Sequence, residues 1–188
     1  AVYYLNKARK SSLLMRKNRP APPAITVFSP SEGTSSGNFS IKVKGEVAGA
    51  GFISKLSING IPYRIDLAKK SIGFEKDVDL NEGSNSIVII CEDLLGNISE
   101  KKIPLKIDSE GPAIYISDLV RERQDGKEFV RITGEINDDT GISELFFNGT
   151  SAKADALKMH SFKMRLPFTA GERLVIRAVD LLNNETVA

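Results

Sequence analysis

Short stretches in which apolar and polar residues alternate recur along most of the chain. A period of two is typical of a strand with one buried face and one exposed face. The apolar members of these stretches are Ile41, Val43 and Val47; Phe74, Val78 and Leu80; Ile87, Ile89 and Cys91; Val130, Ile132 and Ile136; Phe162, Met164, Leu166 and Phe168; and Leu174, Ile176 and Ala178. Turn formers separate the stretches, as at Asn59-Gly60 and Asn148-Gly149. Short strands divided by frequent turns predict a β-sandwich or a barrel.

This pattern of strands and turns occurs twice in the sequence, with the second copy about 89 residues after the first. The matching segments are PAITV (23–27) and PAIYI (112–116), VKGEV (43–47) and ITGEI (132–136), ISKLSING (53–60) and ISELFFNG (142–149), and CEDLLGN (91–97) and AVDLLNN (178–184). In the last pair an apolar strand ends in an aspartate, Asp93 or Asp180, and turn formers follow. Each copy therefore predicts a hairpin at this point.

These motifs, in the order P-x-I-x-I, G-E-I/V, I-S-x-L-x-x-N-G and I-x-I-x-A/C-x-D-x-x-G-N, resemble bacterial immunoglobulin-like repeats, including the sandwich domain attached to glucodextranase-type enzymes. The resemblance covers residues 22–188. It implies an all-β fold of two tandem immunoglobulin-like β-sandwiches, with domain 1 at 22–109 and domain 2 at 110–188. It also implies a spacer or contact module outside the cytoplasm, with no catalytic residues to carry over. Such motifs are informative about fold and nearly silent about function.

The two ends of the chain carry separate predictions. Residues 1–21 are expected to form an N-terminal α-helix, over 2–17, followed by a proline-rich linker. The motif A-x-x-Y-L-x-K-A in this segment resembles the second helix of a tetratricopeptide repeat, and a basic membrane-proximal arm is the alternative. At the other end, the second copy stops at Ala188, so we expect its last strand to be truncated and the parent chain to continue. In the alternative, a partner would supply a strand to the open edge.

Composition and charge narrow the classes of partner. Of the 188 residues 41% are apolar, but no apolar run approaches the roughly 20 residues that span a bilayer. Six basic residues and no acid lie within residues 1–22, so the remaining chain is acidic overall, which argues against a nucleic-acid-binding face on the β-domains. The single cysteine, Cys91, excludes an internal disulfide, and its inward strand position predicts a buried thiol.

The sequence offers no set of residues suited to catalysis. His160 is the only histidine, and its position predicts a solvent-facing loop before a strand. Acid–base or metal chemistry needs partner groups at the same place in the fold, and neither copy carries a repeated nucleophile, base or metal set. We therefore expect a protein that is not an enzyme and has no cofactor.

Calcium is the one metal for which the sequence offers candidate ligands. It takes roughly six to eight oxygen ligands, and the candidate carboxylates are Asp108 and Glu110 at the domain junction and Asp138 and Asp139 in a loop. The first copy has Ala-Gly-Ala at 48–50 in the position of that loop, however, and no D-x-D-x-D run occurs. The sequence favours a solvated acidic loop over a metal site.

Apolar residues at outward strand positions are the remaining contact candidates. Alternation places one of Phe146 and Phe147 outside, and Val88 and Ile90 face away from the core side of their strand. The leading hypothesis is a non-catalytic spacer or protein-interaction region of a larger bacterial envelope or secreted protein, which contacts a protein partner or neighbouring domains of its own chain. The alternative is an accessory carbohydrate-binding module of a carbohydrate-active enzyme, which the absence of tryptophan disfavours.

Overall fold

The computed structural model describes residues 20–169 and 171–188. These residues are all-β and none of them lies in a helix, as the alternating pattern predicts. The helix expected over residues 2–17 lies outside the described residues. Within the described part of the chain, no helix is long and apolar enough to cross a membrane.

The first copy of the repeat forms seven strands. They are β1 (Ala24–Ser29), β2 (Thr34–Ser36), β3 (Ser40–Ile58), β4 (Ile61–Pro62), β5 (Lys69–Asp79), β6 (Gly83–Asp93) and β7 (Ile98–Ile107). Their hydrogen-bonded order is β1-β3-β6-β7-β2, and β4 and β5 also pair with β3. The long β3 serves two layers, because its first half, from Ser40 to Ala48, pairs with β5 and its second half, from Ile53 to Ile58, pairs with β6.

The second copy repeats this arrangement with the two layers separated. Its strands are β8 (Ala113–Gln124), β9 (Lys127–Asn137), β10 (Ile142–Phe147), β11 (Thr150–Ala152), β12 (Met159–Pro167), β13 (Ile176–Asp180) and β14 (Glu185–Val187). They form two sheets, with the orders β12-β9-β8 and β11-β10-β13-β14. Side chains from both sheets form one buried cluster, so the second copy is a β-sandwich. The last strand is short, with three residues against ten in β7.

The repeated G-E motif has a packing cause that is the same in both copies. A Cβ added at Gly45 would overlap the ring of Phe74, and a Cβ added at Gly134 would overlap the ring of Phe162. Both phenylalanines are buried. Glycine is required at these positions because the ring fills the space that a side chain would need.

The chain divides into two compact units. Of the described residues, unit 1 contains those up to Thr34 together with Ser40–Leu80 and Asn85–Leu105, and unit 2 contains Ser35–Phe39, Asn81–Ser84 and those from Lys106 to Ala188. Unit 2 thus combines the second copy of the repeat with short segments of the first copy. The domain boundaries expected from the repeat alone, 22–109 and 110–188, stay a prediction.

Candidate functional site

The repeated acidic turn is a structural element. In unit 1, Oδ1 of Asp93 accepts hydrogen bonds from the backbone N–H groups of Leu95 and Asn97, both at 2.9 Å, and Oδ2 accepts one from the side-chain amide of Asn97 at 2.9 Å. Asp93 is only 1% exposed. The carboxylate therefore holds the turn between β6 and β7, and the predicted hairpin is confirmed.

The same turn closes the hairpin of unit 2. Oδ1 of Asp180 accepts hydrogen bonds from the backbone N–H groups of Leu182 at 2.8 Å and Asn184 at 2.7 Å, and Oδ2 accepts one from the Asn184 amide at 2.8 Å. Asp180 is completely buried. Because both aspartates are engaged inside their own turns, the most obvious acidic motif of the sequence serves folding.

Two of the four calcium candidates converge on a lysine. The Nζ atom of Lys106 lies 3.1 Å from Oδ2 of Asp108 and 2.6 Å from Oδ2 of Asp139. The hydrogen bond to Asp139 raises the pKa of Lys106, and the same bond lowers the pKa of Asp139. The ammonium group of Lys106 therefore lies between two of the carboxylates that were considered as calcium ligands.

The other two calcium candidates line the same surface cleft as this ion pair. Asp138 caps its own loop, since Oδ1 accepts the backbone N–H groups of Thr140 at 2.7 Å and Gly141 at 2.9 Å. Glu110 is exposed. Among residues 20–169 and 171–188, no group of three or more His, Cys, Asp or Glu residues is arranged to hold a metal ion. The solvated acidic loop that the sequence favours over a calcium site stays a prediction.

The two residues considered for reactivity both belong to strands. His160 lies in β12 opposite Ile136, so the prediction of a loop position was wrong. The cause is that β12 begins at Met159, which sets His160 on the same side of the sheet as the buried Ile136 and leaves it half-buried. Cys91 is completely buried, as predicted, and this burial raises the pKa of its thiol.

The outward contact candidate of unit 1 lies in a groove. Ile90 is exposed on the outer face of β6, opposite Ser57 of β3. It lines a groove of about 350 Å³ together with Pro62, Tyr63 and Ile98. Ile98 is 60% exposed, so the apolar part of the groove is open to solvent. Val88, two residues before Ile90 on the same side of the strand, is half-buried.

Polar and aromatic contacts fix the shape of this groove. At its rim, Nζ of Lys55 lies 2.9 Å from Oε2 of Glu92 on the neighbouring strand. The hydroxyl oxygen of Tyr63 accepts the backbone N–H of Glu75 at 3.4 Å, and its ring meets Phe74 edge-on with centroids 6.4 Å apart. Tyr63 is thus anchored from the side of the core, and the groove is preformed.

Charged side chains cover the equivalent face of unit 2. Phe147 is completely buried in the core, and Phe146 is the partly exposed member of the pair. The guanidinium of Arg177, at the position that Ile90 occupies in the first copy, lies 5.0 Å from the centre of the Phe146 ring. It also pairs with Glu185 at 2.8 Å and Glu144 at 3.2 Å, and these hydrogen bonds raise the pKa of Arg177. Unit 2 therefore carries an ion-pair network where unit 1 carries the groove.

Sequence reasoning missed three of the groove residues, Pro62, Tyr63 and Ile98. Pro62 and Tyr63 lie in or directly after the two-residue strand β4, Ile98 begins β7, and the fold brings all three to Ile90. One signal was available, because the aligned repeats place an isoleucine at 90 against an arginine at 177 on outward strand positions. This difference between the two copies corresponds to the groove of unit 1 and the ion-pair network of unit 2.

No protein-family model matches the chain, and no curated protein matches it. Among solved structures, the fibronectin(III)-like modules of Clostridium thermocellum CbhA share 16% identity over 88% of this chain and 90% of theirs, with a TM-score of 0.41. The protein SGBP-B of the Bacteroides ovatus mixed-linkage glucan utilization locus, in complex with a mixed-linkage heptasaccharide, shares 13% identity over 89% of this chain and 46% of its own, with a TM-score of 0.32. Likenesses this low support no argument about function. Neither is a glucodextranase-type domain, so that part of the resemblance stays a prediction.

Proposed function

We propose that the chain is a non-catalytic module, a spacer or protein-interaction region of a larger bacterial envelope or secreted protein, and that the groove of unit 1 is its contact surface. The observation that carries this proposal is the open apolar groove at Ile90 and Ile98. Isolated exposed apolar residues are normal on a protein surface, whereas apolar residues gathered in a preformed hollow are typical of a binding site.

The dimensions and rim of the groove indicate what it takes. A hollow of about 350 Å³ is large enough for one or two apolar side chains of a partner. The Lys55–Glu92 pair offers both charges at the rim. An apolar anchor surrounded by a polar rim is the usual arrangement at the centre of a protein–protein contact. Unit 2 acts as the spacer in this proposal, because the Arg177 network covers the equivalent face.

Photo-crosslinking tests the proposal directly. Benzoylphenylalanine is placed at Ile90, in the groove, and at Asp77, an exposed position on β5, in two otherwise identical proteins. We expect a specific protein adduct from position 90, and its loss in the presence of excess unlabelled chain but not of excess Ile90→Asp chain. Equal adducts from both positions, or equal competition by both chains, would reject the groove as the contact surface.

A glycan array separates the carbohydrate-binding alternative from this proposal. The anchored ring of Tyr63 is half-buried against Phe74, which leaves little of it for the flat stacking that sugars require. We therefore expect no specific glycan to bind the chain. A glycan that binds and is lost in a Tyr63→Ala variant would replace protein interaction with carbohydrate binding as the function.

A further inference from the structure

One end of unit 1 carries exposed apolar side chains on three separate segments. They are Phe52 on β3, Leu67 in the connection from β4 to β5, and Leu94 and Leu95 in the turn from β6 to β7, and they are between 48% and 69% exposed. These four residues are called the apolar tip. None of them lines the groove at Ile90. Exposed apolar residues gathered at one place, unlike scattered ones, are typical of an interaction surface.

The strand register brings the segments of the apolar tip together. Ile53 of β3 pairs with Lys69 of β5 on one side and with Asp93 of β6 on the other. Phe52 directly precedes Ile53. Leu94 directly follows Asp93, and its backbone N–H donates a hydrogen bond of 2.8 Å to the carbonyl oxygen of Phe52. The position of the tip is therefore fixed by the pairing of β3 with β5 and β6.

The acidic side chains near the apolar tip are already engaged. Oδ1 of Asp66 lies 2.8 Å from Nε of Arg64, and Oε2 of Glu92 lies 2.9 Å from Nζ of Lys55. Asp93 is buried and accepts the backbone N–H groups of its own turn. These carboxylates therefore do little to repel an anionic surface that approaches the tip.

The remaining charge at this end is basic. Lys69 and Lys70 are exposed, and neither forms an ion pair with another residue among 20–169 and 171–188. In addition, β1 begins at Ala24, opposite Ala48 of β3 and so at this same end. The segment that leads into β1, residues 1–22, carries six basic residues and no acid. Basic charge beside exposed apolar side chains complements an anionic lipid surface.

The same end of unit 2 lacks this combination. Leu181 is exposed there, but Gly141 stands at the repeat position of Phe52. Asp138 and Asp139 add carboxylates where the first copy has small uncharged residues. We therefore expect lipid contact from unit 1 alone.

We propose that this end of unit 1 docks on a bilayer that contains anionic lipids, with the apolar tip in the headgroup region and Lys69 and Lys70 beside the anionic headgroups. Peripheral binding of this kind combines buried apolar area with electrostatic attraction. A bilayer accepts side chains that project from separate segments, whereas a protein partner needs a surface shaped to all of them. The lipid contact is thus a second contact of unit 1, in addition to the groove.

Co-sedimentation of the full chain with vesicles tests the charge requirement. The vesicles contain phosphatidylcholine alone, or phosphatidylcholine and phosphatidylglycerol in equal parts. We expect at least about tenfold tighter binding to the anionic vesicles, because each lysine near the surface contributes roughly fivefold. A variant with Lys69→Gln and Lys70→Gln should lose at least about tenfold in this binding. The matched control, with Lys127→Gln and Lys163→Gln at exposed positions of unit 2, should bind as the parent chain does.

Single tryptophans report which residues enter the bilayer, since the chain contains no tryptophan of its own. On anionic vesicles, Phe52→Trp should give blue-shifted emission that brominated lipid quenches. Phe28→Trp should give neither effect, because Phe28 is equally open to solvent but lies at the other end of β1. A variant with Leu94→Ser and Leu95→Ser should bind at least about tenfold more weakly.

Circular dichroism of each variant verifies that it folds. The proposal is overturned if the chain does not bind anionic vesicles, or if brominated lipid quenches both tryptophans equally. It is also overturned if the variant with Leu94→Ser and Leu95→Ser binds as tightly as the parent chain, because the basic charge of residues 1–22 would then explain the binding alone. A protein that crosslinks to position 94 without any vesicle binding would assign the apolar tip to a protein partner instead.

Discussion

Substitution of Gly45 by alanine tests the packing that the repeated motif encodes. The new Cβ would overlap the ring of Phe74 and the backbone carbonyl oxygen of Thr26. The ring can shift only by entering the core around it, and the carbonyl belongs to the β1–β3 pair. Neither neighbour is the free end of a flexible side chain, so the overlap cannot be relieved locally.

The expected magnitude follows from the nature of these contacts. Overfilling a packed core costs about 1–3 kcal/mol, and the additional backbone overlap places this variant near the upper end. A loss of about 3 kcal/mol corresponds to a fall of roughly 12–24 °C in Tm for a unit of this size. Gly134→Ala should have an equal effect on unit 2, because a Cβ there meets Phe162 and the carbonyl oxygen of Tyr115 in the same way.

Gly73→Ala is the matched control for this experiment. Gly73 lies in β5, directly beside Phe74, but a Cβ there would approach nothing closer than the Gly45 carbonyl oxygen at 3.9 Å. Alanine is favoured over glycine in a strand interior, so Tm should stay level or rise slightly. Calorimetry of the three variants gives the comparison. If Gly45→Ala unfolds at the same temperature as Gly73→Ala, the ring does not occupy the space assigned to it.

Three further predictions concern buried and charged groups. Asp180→Ala leaves the N–H donors of its turn without an acceptor and should lower the free energy of unfolding by about 2–4 kcal/mol in urea titrations; a change near zero would contradict a structural role. The Cys91 thiol should react with Ellman's reagent only after denaturation, and since burial raises its pKa in the folded state, stability should fall as pH rises above the ordinary thiol range; rapid reaction of the native chain would show that the thiol is accessible. Calcium chloride should leave Tm unchanged, because the Lys106 ammonium lies between Asp108 and Asp139; a rise in Tm that Asp139→Asn removes would instead support a calcium site.

The features that the sequence predicted are those determined by local pattern. Alternation alone placed Cys91 in the core, and the acidic turn formers after β6 and β13 predicted both hairpins. These features depend on residues close together in the chain, so neither needed knowledge of strand pairing. Because both copies of the repeat carry these patterns, the sequence supports each inference at two places, and the β-fold could be predicted from it.

The features that the sequence did not predict depend on strand pairing and register. His160 was placed in a loop, because the start of β12 is set by its pairing with β9 and not by local composition. The groove joins Tyr63 and Ile98, which are far apart in the chain. The position of Lys106 between two acids depends likewise on the end of β7 and the loop after β9. Such contacts follow from the fold and could not be read beforehand.

Amide hydrogen exchange on the full chain tests most directly the prediction that the two copies of the repeat form separate sandwiches, each with its own buried aspartate turn. Exchange is compared between the parent chain and an Asp93→Ala variant. We predict that the Asn97 amide loses its protection and that exchange accelerates through β3, β5 and β6, while β9, β10 and β12 keep the rates of the parent chain. Equal acceleration in both sets of strands would contradict this prediction, because it would show that the two copies unfold as one structure.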